Sequence, residues 1–150
     1  MLWNTQTYTG WGRALSAEGE LARPERAAAL AKLCTNPAIG ARRSYGDACL
    51  NSKGAAVDMT RLDRILSFDA ATGLVEAEAG VPVGELARLF APLGWIPTVM
   101  PGTGFATVGG CIAMDVHGKN HHVDGSFGSH VTAIKLMVAG KPKTITPKRN

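Results

Sequence analysis

Pro101-Gly102-Thr103-Gly104-Phe105-Ala106-Thr107-Val108-Gly109-Gly110-Cys111-Ile112-Ala113-Met114-Asp115-Val116-His117-Gly118-Lys119-Asn120-His121-His122-Val123-Asp124-Gly125-Ser126-Phe127-Gly128 is dense in glycine. It has neither the charge nor the serine richness of a linker. Pro101-Gly102 turns the chain, and Thr107 is placed to cap a short helix that opens at Val108. Gly109 and Gly110 fall in that helix's first turn, where glycine costs helical stability. Something must therefore lie close against the backbone there. Two readings are open. The unpaired amides and positive dipole end of the helix suit a phosphate, and a helix packed tightly on a strand explains the glycines equally well.

On either side of this stretch the chain alternates short strands and helices. Residues 1–19 are polar around Gly10-Trp11-Gly12 and read as an irregular arm with one aromatic anchor, leaving residues 20–150 as the domain proper. Pro24 and Glu25 suit the start of a helix through Ala27 to Leu33, which Asn36-Pro37 ends. Ala38 to Ala41 and Ala55 to Met59 are short strand candidates. Arg64 to Asp69 and Leu74 to Ala79 flank the turn Ala70-Ala71-Thr72-Gly73 as a hairpin. Pro82 opens a helix with Val83, Leu86, Leu89 and Phe90 on one face, and Gly94 closes it. Trp95 to Met100 then runs extended. After the glycine-dense stretch, His130 to Ala139 is the longest strand candidate, with Lys143 to Thr146 as its hairpin partner. This order predicts a mixed α+β domain.

Composition narrows the class. The chain has 150 residues, 45% of them hydrophobic, enough for one domain with a core. A net charge of +4 suits anionic ligands. The basic residues are scattered except for Lys141 to Arg149, so no Lys/Arg stripe with interleaved aromatics marks a nucleic-acid binder. Three widely spaced cysteines, Cys34, Cys49 and Cys111, fit reduced thiols rather than a disulfide frame. No segment reaches the ~20 apolar residues of a membrane span, and the opening residues lack a signal-peptide pattern. The expected compartment is the cytoplasm.

A second loop, Ile39 to Asp47, follows a strand and offers amides, a hydroxyl and guanidinium charge to an anion. Two such loops suit a ligand with two phosphates, although neither matches the Rossmann or Walker pattern. His117 and His121, with His122, Asp115 and Asp124 nearby, raise a metal site, but Gly118 and Asn120 between them argue against a regular helix. No metal is expected. His117 is read as facing a ligand, and His121 and His122 as making local hydrogen bonds. Cys111, in an apolar helix with no evident base, reads as a structural thiol. Asp47 reads as fixing a turn rather than as a general base.

Four motifs occur in the order Gly10-Trp11-Gly12-Arg13, Arg43-Ser44-Tyr45-Gly46-Asp47, Pro101-Gly102-Thr103 through Thr107-Val108-Gly109-Gly110, and His117-Gly118-Lys119-Asn120-His121-His122. Together they resemble the flavin-binding domain of FAD-linked oxidases of the vanillyl-alcohol oxidase and p-cresol methylhydroxylase type, and most specifically the decaprenylphosphoryl-ribose oxidase subgroup. The resemblance covers the chain from Gly10 to about Pro147.

The resemblance implies a FAD-binding domain of mixed sheets with flanking helices. It implies that the FAD pyrophosphate lies against Ala38-Ile39-Gly40-Ala41-Arg42-Arg43-Ser44-Tyr45-Gly46-Asp47-Ala48. Further flavin contacts fall on Gly102, on Thr107-Val108-Gly109-Gly110 and on Met114-Asp115-Val116-His117. His117 and Lys119 are the candidate catalytic residues, nearest the flavin ring or an anionic substrate. The implied chemistry is oxidation of an alcohol group on a sugar or sugar-lipid. Many members attach FAD through a first-loop histidine; Arg43 stands there, which implies noncovalent FAD. Arg42 stands where the family usually has a second glycine, so the backbone's approach to the pyrophosphate is expected to differ. The family's flavin domain continues further and a substrate domain follows it. The chain is therefore expected to be a truncated portion, inactive alone, with the missing half supplied by a possible partner chain.

Overall fold

The computed structural model describes residues 3–147. Its first element corrects the irregular-arm reading. Strands β1 (Trp3–Thr9) and β2 (Ser16–Ala22) form an antiparallel hairpin from Trp3↔Ala22 to Thr9↔Ser16. The arm-to-domain division expected after Gly19 falls inside β2. The buried face of β2 is Ala17, Gly19 and Leu21, with exposed Ser16, Glu18 and Glu20 between them. Two of those three inward residues carry almost no hydrophobic signal, so the period-two pattern is chemically faint.

A 3₁₀ turn over Ala27–Lys32 follows where an α-helix was expected. Its N-cap residue, Arg26, makes no side-chain cap, and Glu25 pairs with Arg61 instead of serving the helix end. Strand β3 (Ala38–Ile39) leads into the first glycine loop, and β4 (Ala55–Asp58) inserts between β2 and β3, parallel to both. The sheet order is thus β1-β2-β4-β3. One core cluster joins Tyr8, Ala17, Leu21, Ile39 and Ala56, and a second joins Ala22, Leu33 and Val57.

The hairpin of β5 (Ile65–Asp69) and β6 (Leu74–Ala77) forms as expected, on the turn at residues 70–73. The Asp69 carboxylate accepts from the Ala71 amide and the Thr72 hydroxyl, which holds it below the usual aspartate range. Helix α1 (Val83–Phe90) follows, burying Val83 and Leu86 and stacking Phe90 on Phe68 at 4.1 Å between ring centres. The amides of Val83 and Gly84 donate to Ala106 and Gly104 at 2.8 and 2.9 Å, so α1 grips the second glycine loop by its main chain.

Helix α2 (Val108–Ala113) opens at Val108 as read from the sequence, and α3 (His121–Asp124) is a single turn. Strand β7 (Ile134–Val138) is half the expected length: His130 belongs to a 3₁₀ turn, residues 131–133 are irregular, and Ala139 enters the hairpin turn. Its partner β8 (Lys141–Ile145) starts earlier than expected. Ala139 and Gly140, with φ of 48° and 77°, make a two-residue hairpin turn of the kind that matches strand twist. Of the C-terminal basic run, Lys148 and Arg149 lie outside the described residues. The fold is α+β, with three small sheets flanked by short helices among the described residues.

Leu33 is 2% exposed and anchors the second cluster. Leu33→Ala should cost about 2–5 kcal/mol, read as a lowered urea midpoint with an unchanged slope.

Candidate functional site

Gly40 follows β3 in a position with no room for a side chain. A Cβ there would lie 2.3 Å from Thr107 Oγ1. The same oxygen accepts from the Gly110 amide at 3.3 Å and caps α2. The first loop and the second glycine region are thereby pressed together at one residue from each. A second bridge lies further along, where the Arg43 guanidinium sits 5.2 Å over the Phe105 ring.

The helix end does not offer the amides that a phosphate would need. Val108 N donates to Val81 O at 2.8 Å, Gly109 N to Ala79 O at 2.8 Å, and Gly110 N to Thr107 Oγ1. All three of the helix's leading amides have protein acceptors. A Cβ on Gly109 would sit 2.9 Å from the Ala79 Cβ. The tight-packing reading thus accounts for Gly109, and the helix-end phosphate reading is corrected.

The first loop differs in this respect. Among the described residues, the amides of residues 42–46 donate to no protein acceptor. The loop is shaped by left-handed backbone at Arg42 (φ 54°) and Gly46 (φ 64°). It is supported from below by the β1–β2 turn, where Trp11 N donates to Ser44 O at 3.3 Å and the Trp11 ring meets Tyr45 edge-on at 5.5 Å. Between the turn and the loop lies a cleft of about 430 Å³ lined by Thr9, Gly10, Trp11, Arg13, Ala41, Arg42 and Arg43. Amides without protein acceptors beside the Arg13 and Arg43 guanidinium groups make an anion-binding surface.

The side chains of this loop have divided tasks. Ile39 is buried in the core, whereas Ala38, Arg43, Tyr45, Gly46, Asp47 and Ala48 are exposed. Arg42 turns back to pair with buried Asp58 at 3.5 Å. Asp47 fixes a turn through its carbonyl, which accepts from Leu50 N at 2.8 Å. Asp58 and Phe105 escaped the sequence reading. A charged residue closing the apolar strand Ala55-Ala56-Val57 was the available signal for the first.

In the second region Gly102 and Met114 are exposed. Asp115, at φ 41°, accepts from Gly128 N and Ser126 Oγ, each at 2.8 Å. These bonds hold its carboxyl below the usual aspartate range. His117 bridges to Ser126 on an irregular strand pair and lies outside α3, so His117 and His121 share no helix. Their rings meet edge-on at 5.1 Å, and His121 Nδ1 bonds the Gly118 carbonyl at 3.0 Å. Lys119 is exposed. Among the described residues, no hydrogen bond or ion pair joins His117 or Lys119 to the first loop, and no three His, Cys, Asp or Glu side chains converge as a metal site. Cys111 is fully buried, and burial pushes its thiol up to about 11, which leaves it protonated and inert at neutral pH.

These features define an α+β domain with an anion-binding loop, and comparison with known proteins gives its family. The chain belongs to the FAD binding domain family, which matches residues 18–142. It is 39% identical to the decaprenylphosphoryl-beta-D-ribose oxidase of Mycolicibacterium smegmatis over 95% of this chain and 33% of that protein. It is 30% identical to the D-lactate dehydrogenase of Anaerostipes hadrus over 79% of this chain and 26% of that protein. With the D-2-hydroxyglutarate dehydrogenase of Escherichia coli it shares 31% identity over 59% of its length and 9% of that protein. The chain spans about a third or less of the length of these relatives. The resemblance drawn from the four motifs is borne out, and with it the flavoprotein class.

Two outcomes test the site's construction. Gly40→Ala should cost about 1–3 kcal/mol through overpacking, and less in a Thr107→Ala background, where the nearest Thr107 atom that remains, Cβ, lies 3.5 Å away. Denaturant midpoints of the four proteins in the cycle give the coupling. Because Asp115 is held below the ordinary carboxylate range, its grip on residues 126–128 should persist as pH falls through about 3.9 and disappear only below that. The protection factor of the Gly128 amide reports this, and Asp115→Asn should lower it at neutral pH.

Proposed function

We propose that this chain is the FAD-binding portion of a flavin-dependent oxidoreductase that oxidises an alcohol group of a sugar or sugar-lipid. The observation that carries the reading is the first loop, whose amides at residues 42–46 have no protein acceptor among the described residues and lie by the cleft that Arg13 and Arg43 line. In a member of the FAD binding domain family, a diphosphate is the ligand that suits such a surface. The donor set fits it in charge and in number of hydrogen-bond donors. The pyrophosphate is assigned to the segment 38–48, with flavin contacts on Gly102, on 107–110 and on 114–117. Within 107–110 the support is packing rather than free amides. FAD is proposed to be held noncovalently, since Arg43 offers no nucleophile for a flavin bond.

Bound FAD supplies the hydride acceptor for oxidation of an alcohol carbon. The chain's own contribution is to hold the phosphates and to present His117 and Lys119, both exposed, towards the ring or an anionic substrate. The substrate class rests on the relative named for decaprenylphosphoryl-β-D-ribose; the two relatives named for D-lactate and D-2-hydroxyglutarate favour an alcohol carbon more generally. The three free cysteines support a reducing compartment such as the cytoplasm.

A second reading is a noncatalytic flavin-binding module that acts only with a partner chain. It is favoured by the exposed apolar side chains on the two two-stranded sheets: Leu66, Leu74, Leu136 and Val138 are 44–54% exposed.

The visible absorption spectrum of the purified chain, mixed with FAD and desalted, tests the shared claim. A retained flavin band that acid precipitation releases into the supernatant is the expected result. A colourless protein removes the FAD-site assignment for the isolated chain, and flavin that stays with the precipitate removes the noncovalent one. Dye reduction with a sugar alcohol then separates the enzyme from the module.

A further inference from the structure

Arg42 combines two features that ordinarily do not belong together. Its backbone, at φ 54°, lies in the left-handed region that glycine occupies freely and other residues occupy under strain. Its side chain is drawn away from the loop's open amides and back onto the sheet. There Nη1 lies 3.5 Å from Asp58 Oδ2, and the guanidinium sits 6.0 Å over the Tyr8 ring. Asp58 is 4% exposed at the end of β4, and its orientation is fixed. Oδ1 accepts from Thr60 N at 2.9 Å and from Thr60 Oγ1 at 2.5 Å, which turns Oδ2 towards the arginines. The other cation facing Oδ2, Arg23 Nε at 3.9 Å, is itself held on Thr60 Oγ1 at 3.1 Å.

We infer that Asp58 is a positioning residue for the anion loop and that it acts through Arg42. The buried carboxylate holds the Arg42 side chain, and the held side chain keeps a non-glycine residue in left-handed backbone. That backbone leaves the amides of residues 42–46 without protein acceptors among the described residues. Strain of this kind persists only where the surroundings over-determine it, and the ion pair with Asp58 over the Tyr8 ring is what does so here. The arginine therefore serves as a tether and not as the loop's phosphate-binding charge, a task left to Arg13 and Arg43. The functional consequence rests on the assignment of this loop to FAD.

Substitutions at one position separate tether from charge. Arg42→Gln loses the ion pair but keeps a strained residue, whereas Arg42→Gly loses both the pair and the strain. In the FAD-free chain, Arg42→Gln should speed exchange of the Trp11 amide, which is bonded to Ser44 O, by about tenfold; Arg42→Gly should leave it near wild type, and Arg42→Lys should recover most of the loss. FAD affinity from flavin fluorescence should be weakened about tenfold more by Arg42→Gln than by Arg42→Gly. Asp58→Asn should mimic Arg42→Gln, and should add nothing in the Arg42→Gly background. Equal behaviour of the Gln and Gly variants, or an undiminished effect of Asp58→Asn in the Gly background, overturns the inference. If the wild-type chain binds no FAD, the loop's assignment fails while the exchange pattern still decides the tether.

Discussion

The site depends on a place where no atom fits. Thr107 Oγ1 occupies the volume that a side chain at Gly40 would need, and from there it reaches the Gly110 amide. A single hydroxyl thus closes the cap of α2 and sets the distance between the two glycine regions. Any increase in volume at Gly40 has to be absorbed by the cap, the helix or the edge strand β3, and none of these is loose. Gly109 against Ala79 repeats the arrangement on the helix's other side. The helix is wedged between the edge of the four-stranded sheet and the end of the β5–β6 hairpin, and glycine is the residue that lets it sit there.

That wedge settles how the two glycine regions share their work. Close packing uses up the leading amides of α2, so the helix is a structural joint. The first loop makes the opposite exchange. It packs little, is exposed along most of its length, and keeps its amides free beside arginine side chains. A helix N-terminus and a glycine loop look alike as anion sites in a sequence, and what separates them is which amides already have acceptors.

How much could be read from the residues follows the strength of each local signal. The β5–β6 hairpin, α1 and the Thr107 cap were legible because turn, proline and cap chemistry act within a few residues. The β1–β2 hairpin was not, because its buried face is built from Ala17 and Gly19 as much as from Leu21. The length of β7 was missed because an apolar run does not show where pairing begins: residues 131–133 join no strand, and His130 belongs to the 3₁₀ turn before them. The motifs gave the cofactor class and flagged Arg42 as out of pattern. Its partner Asp58 lies 16 residues away on another strand, a separation that no local pattern spans.

The β7–β8 hairpin has a tight two-residue turn, and nothing in its assembly requires distant residues. Yet its turn is fastened elsewhere. The Gly140 amide donates to Cys34 Sγ at 3.3 Å, across 106 positions of sequence. A two-stranded ribbon alone is marginal in water. It can form within microseconds, but it gains lasting support only once the 3₁₀ segment near the N-terminus is in place. During synthesis the N-terminal half emerges first, so the ribbon meets its anchor already made. A circularly permuted chain that delivered the ribbon first would leave its Leu136 and Val138 side chains without that anchor. The native order of the elements thus places the ribbon's anchor ahead of the ribbon itself.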